Sequence, residues 1–134
     1  MKFFQFLLMF FLVYWVFFCR TTLVSKKELQ NWNQDYQKHV YLTTSEVFLS
    51  DYDFETNSFV KVQDQPLIQK NSKVTLKIEA VDDWVRLRVF EENKNRIDYF
   101  GVVVLYLHPA DEKKKSKELK KIIDEYIETH FKKL

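Results

Sequence analysis

Lys73-Val74-Thr75-Leu76-Lys77-Ile78-Glu79-Ala80-Val81, then Asp82-Asp83, then Trp84-Val85-Arg86-Leu87-Arg88-Val89-Phe90, is the stretch that decides the fold. Val74, Leu76, Ile78 and Ala80 alternate with Thr75, Lys77 and Glu79, which is the period of a half-buried strand. After the two aspartates the alternation resumes. Val85, Leu87 and Val89 take one face, and Trp84, Arg86, Arg88 and Phe90 take the other. Two such runs joined by a tight polar connection predict an antiparallel hairpin with an apolar inner face. On its outer face Glu79 and Lys77 are expected across from Arg86 and Arg88.

Working outward, shorter strand-like runs precede the hairpin at Glu46 to Asp51 and at Phe59 to Gln63, with turn chemistry at Asp64-Gln65-Pro66. After a polar loop, Tyr99 to His108 is nearly all apolar and reads as a central strand covered on both sides, stopped by Pro109. Both ends of the mature chain read as helix. Ser25-Lys26-Lys27-Glu28 has the form of a capping box, and Leu29, Trp32, Tyr36 and Val40 follow at helical spacing, so a helix is expected over Lys26 to Lys38. It would serve as a docking element near a membrane or as a cover over one opening of a barrel. From Asp111, a plausible N-cap, Leu119, Ile122, Ile123, Tyr126, Ile127, Phe131 and Leu134 form one apolar side, which predicts an amphipathic helix to the end. The fold class is therefore α+β: a small antiparallel barrel or curved sheet flanked by an N-terminal and a C-terminal helix.

The first twenty residues are of another kind. Met1-Lys2 is a short positive start, and from Phe3 to Phe18 only Gln5 is polar before Cys19 and Arg20. Such a run matches a long signal-peptide core or a short membrane span. A buried core helix is the remaining reading, although an all-round apolar helix is rare in so small a domain. The organisation expected is 1–19 as signal or anchor, 20–44 as short helix and linker, 45–109 as the β-rich domain and 110–134 as the C-terminal helix packed on it.

Composition narrows the function classes. The 134 residues carry a net charge of +2, so nothing draws the whole chain to nucleic acid. The Lys113-Lys114-Lys115-Ser116-Lys117 run with Lys120 and Lys121 is locally basic, the usual look of a solvated helix face. With one Gly, no phosphate-cradling loop can form, and with one Cys, neither an internal disulfide nor a thiolate metal cluster can. His39, His108 and His130 lack metal-ligand spacing. No nucleophile elbow is present. These features point away from an enzyme and from any cofactor. Asp51, Asp53 and Glu55 alternate and would share a strand face able to hold a hard cation, but Thr56 and Val62 stand where an EF-hand needs Gly and Glu. Trp84, Arg86, Arg88 and Phe90 are the strongest candidate surface for a partner, because aromatic residues and Arg dominate binding hot spots. The terminal helix would otherwise cover Trp84 and Phe90.

Two resemblances follow from these residues. Val16-Phe17-Phe18-Cys19 is similar to the end of a lipoprotein signal, in the looser form of spirochaete lipoproteins, since Phe18 replaces the usual small residue. This implies acylation at Cys19 and a membrane-anchored domain in the cell envelope, on the periplasmic face of an outer membrane. Val74-Thr75-Leu76, Trp84-Val85 and Gly101-Val102 resemble a bacterial SH3-like barrel over roughly Val47 to Leu107, although the family's usual Trp after the Gly is replaced by Val102. The Asp82-Asp83-Trp84-Val85 hairpin behind a lipobox and a short helix also looks like small spirochaete lipoproteins associated with type II secretion. Those resemblances imply a non-enzymatic accessory that meets an envelope protein partner, or alternatively a peptidoglycan-binding module, with no small-molecule substrate.

Overall fold

The computed structural model describes residues 24–81, 83–93, 96–97, 101–109 and 116–134. The expected anchor segment with Cys19, Asp82 of the expected turn and the expected N-cap Asp111 lie outside these. Helix α1 is Lys26–Gln37. Ser25 caps it as the sequence predicts: its hydroxyl accepts from the Glu28 N–H at 3.2 Å, satisfying one of the four donors a helix start leaves open.

The strands are β1 Tyr41–Thr43, β2 Ser50–Asp53, β3 Ser58–Lys61, β4 Lys73–Val81, β5 Trp84–Asn93, β6 Arg96–Ile97, β7 Val102–Leu107 and β8 Phe131–Lys133. Helix α2, Ser116–His130, lies between β7 and β8. The strands run β3-β2-β7-β5-β4-β1-β8 across one curled sheet, with β6 beside β5. The β4–β5 hairpin pairs in the expected register, Glu79 opposite Arg86 and Lys77 opposite Arg88.

The core is one face of this sheet closed by α2. Val74, Leu76, Ile78, Val85, Leu87, Val89, Leu105 and Leu107 are buried beneath Leu119, Ile123, Tyr126 and Ile127. The Tyr126 ring meets Phe59 of β3 and Phe131 of β8, the two end strands of the sheet. Among the described residues the sheet therefore curls around α2 as a half-barrel with two free ends, and it does not close.

Five expectations change. The sheet is not purely antiparallel, because β2 runs parallel to β7, Ser50 beside Leu105 and Asp51 beside Tyr106. The C-terminal helix ends at His130, where Phe131–Lys133 pair with β1 and give Tyr41 to Thr43 a second strand neighbour. The strand expected over Glu46 to Asp51 is shifted: Val47 makes only an isolated bridge to Ile68, and β2 starts at Ser50. β7 is central but covered on one face only, since Val103 and Tyr106 remain half-exposed. Finally, α1 covers no barrel opening. It lies along β4, where Asn33 takes the place of a strand partner: its amide donates to the Ile78 carbonyl at 2.9 Å and accepts from the Ile78 N–H at 2.8 Å.

Candidate functional site

Bridge partners in a sheet point their side chains to the same face. The registers therefore set Val60, Asp51, Tyr106, Arg86 and Glu79 in one row across β3, β2, β7, β5 and β4 on the outer face. Trp84, Arg88 and Phe90 stand on the same face, two residues apart along β5. The four residues singled out from the sequence thus come together, and α2 does not cover them. The Tyr126 hydroxyl of α2 reaches the Phe48 and Val104 carbonyls on the inner side.

Each of the four is held by a neighbour. Trp84 lies against Tyr106, ring centroids 5.0 Å apart and planes tilted by 30°. The Arg86 guanidinium sits 5.4 Å from the centre of the indole, within the range of a cation–π attraction. Arg86 and Arg88 both donate through Nε to Glu79 Oε1, at 2.9 and 2.6 Å. Burial of Glu79 works against its charge and is the largest single influence on it. The two Arg hydrogen bonds and their positive charge together outweigh that, so its carboxyl titrates below the ordinary range. Phe90 packs over Gly101. A Cβ there would come within 2.8 Å of Phe90 Cε1, and the backbone has φ +59°, so both space and conformation require glycine.

The acid trio is divided. Asp51 and Asp53 lie on β2, whereas Glu55 is in the turn that follows. The Asp53 carboxylate accepts from the Glu55 N–H at 2.9 Å; this bond first, then bonds from Thr56, holds its pKa below the ordinary value. Among the described residues no group of three His, Cys, Asp or Glu is placed to hold a metal ion. His108 lies 3.6 Å from Asp83 on the surface. His130 is half-buried against Tyr126, and burial lowers its pKa.

An open groove of 670 Å³ separates the two helices beside Trp32. Lys120 and Asp124 of its lining belong to a polar network: Lys120 Nζ donates to the Tyr36 hydroxyl at 2.8 Å and to Asp124 at 2.7 Å, and the Tyr36 hydroxyl donates to Asp124. Burial, then the bond to Asp124 and its charge, push the Tyr36 phenol far above its ordinary pKa. The groove mixes Lys117 and Lys121 with Glu28, Glu125 and Glu128, so it presents no single charge.

Sequence reading missed Tyr106 and Asp51 as members of the outer row, because only the pairing of β2 with β7 brings them there. It also missed Asn33, whose signal was a polar residue directly after Trp32 in the apolar stripe of α1.

Among the described residues no helix is long and apolar enough to cross a membrane. No protein family, curated protein or solved structure matches the chain.

Proposed function

We propose that the chain is a lipid-anchored envelope protein whose domain is a non-enzymatic docking module, an assembly accessory of the kind that the type II secretion resemblance implies. Cys19 is the acylated residue in this reading, and the outer sheet face meets the partner. One observation carries it: Trp84, Tyr106, Arg86, Arg88 and Glu79 form an ordered aromatic and charged surface that neither helix covers. Such a surface is already held in one geometry, so a partner does not have to order it on binding.

The test uses the full chain in its membrane. Mild crosslinking and purification should recover the same envelope protein with the wild type and lose it with Trp84→Ala or Arg86→Glu. Recovery of nothing above background from the wild type sinks the docking reading. Fatty-acid labelling tests the anchor separately: equal incorporation by wild type and Cys19→Ala removes it.

A second reading, a glycan-binding module, draws on the paired Trp84 and Tyr106 rings. It is the weaker one, because each ring already uses one face on the other. Retention on purified peptidoglycan that is lost in Trp84→Ala would favour it.

A further inference from the structure

A strand edge offers a row of unpaired N–H and C=O groups to any other chain, and folded proteins blunt such edges. Here two are blunted. Beyond Val74, β4 has no β1 partner, and Asn33 closes that gap on the Ile78 N–H and C=O. The β8 edge is three residues long and carries Lys132 and Lys133.

The β3 edge is treated differently. The Val62 N–H donates to the Leu49 carbonyl, and the same register turns the Val60 backbone groups toward β2. In an antiparallel ladder the residues between them, Phe59 and Lys61, turn theirs outward. Lys61 does not guard this edge, because its ammonium is drawn back to 3.7 Å from the centre of the Phe48 ring. Val60 of β3 and Val62 just after it are 47% and 51% exposed.

We propose that β3 is a docking edge that takes an extended segment of a partner protein as an added antiparallel strand. That segment sets apolar residues beside Val60 and Val62 and a Lys or Arg beside Ser58. The proposal rests on the docking reading above and names the mode and chemistry of the partner. An added strand would continue the row Val60, Asp51, Tyr106, Arg86, Glu79 by one member.

Charge selects the occupant. On the outer face Asp51 neighbours Val60, and Asp53 neighbours Ser58, while Glu55 lies in the adjoining turn. Strands lie about 4.8 Å apart, so a basic side chain on the added strand crosses only the small Ser58 to approach Asp53. A second copy of this chain fits worse. Self-pairing centred on Lys61 sets Asp64 opposite Ser58 and pairing centred on Val60 sets Val62 there, so neither supplies a basic residue, and both bring two acidic sets to one face. Like charges placed this way oppose pairing.

The test uses the full-length chain in detergent micelles and a blocked peptide, Thr-Val-Thr-Val-Thr-Lys-Thr. Binding should be saturable and should slow amide exchange at Phe59 and Lys61 by about tenfold or more, with the already bonded Val60 amide little changed. Replacing the peptide Lys with Glu should weaken binding several-fold. Lys61→Pro removes an outward N–H and should abolish the effect while the melting temperature holds, since Pro is tolerated at an edge strand whose N–H faces solvent. No protection at Phe59 and Lys61 at saturating peptide overturns the proposal, and so does equal binding of the Glu peptide. A concentration-dependent dimer protected at these amides without peptide assigns the edge to a second copy and overturns the choice of partner. Trp84→Ala should leave peptide binding intact. Loss of crosslinked capture in that variant with no peptide protection in the wild type would then sink the edge alone and leave the docking face standing.

Discussion

Two edges of one sheet solve the same problem in opposite ways. At β4 a helix side chain, Asn33, completes the ladder on Ile78. At β3 the ladder stops among the described residues, with Phe59 and Lys61 facing outward and Val60 and Val62 exposed. The difference lies in cover, since both are strands of the same curled sheet. Helix α1 reaches β4 because Ser25 starts it directly before the sheet and Tyr36 ties its last turn to Asp124 and Lys120 of α2. Helix α2 meets β3 on its inner face, Tyr126 against Phe59, and among the described residues no helix side chain bonds to its edge. The closed edge is part of the core's stability. The open one is where the proposed partner strand would add.

Breaking the bonded positions should therefore cost most. Asn33→Leu keeps the volume and leaves the buried Ile78 N–H and C=O without partners, a loss of roughly 2–4 kcal/mol for two such groups. Val60→Pro removes a ladder donor aimed at β2, at a cost of about 1–3 kcal/mol for the lost bond and the carbonyl left unpaired. Urea titration followed by circular dichroism measures both. A change below about 1 kcal/mol for Asn33→Leu would mean that α1 does not close the β4 edge.

Alkaline pH probes the same closure more gently. The Tyr36 phenol titrates far above its ordinary value of 10.0, by burial first and by Asp124 next, and Tyr126 is likewise raised by burial. Below pH 10 both hold their protons whether folded or unfolded. Above it the unfolded chain releases protons that the folded chain retains, so stability falls as pH rises. Melting temperatures should decline steadily above pH 10. Tyr36→Phe should cost about 1 kcal/mol at neutral pH for its lost hydrogen bond and should flatten the alkaline decline. An unchanged slope in that variant would place the titration elsewhere.

How much of this was legible in the sequence depends on how local its cause is. The hairpin could be read to the residue, Glu79 against Arg86 included, because strict alternation fixes the face and the two-aspartate turn fixes the register. The Ser25 cap was legible for the same reason. β1 and β8 were not, since three residues carry no period, β8 forms on β1, and β1 forms between β4 and β8. Phe131 also continues the helical spacing from Ile127, so the pattern ran past the true helix end at His130. The parallel union of β2 and β7 joins segments about fifty residues apart, and with it the placement of Asp51 beside Tyr106. Candidate residues on β5 could be named from their alternation. That the acids of β2 share their face could not.

The smallest expected effect is the sharpest discriminator between the two edges. Lys61→Pro lies one residue from Val60→Pro, yet its N–H points away from β2 and its loss breaks no ladder bond. It does give up the ammonium over the Phe48 ring, worth about 0.5 kcal/mol at an exposed site. Part of that is offset because Pro restricts the unfolded chain. The net change should stay within about 0.5 kcal/mol, against roughly 1–3 kcal/mol at the neighbouring position. Equal losses at the two positions would show that the Lys61 N–H is already bonded within the domain. The β3 edge would then be closed like that of β4, and the contrast between them would disappear.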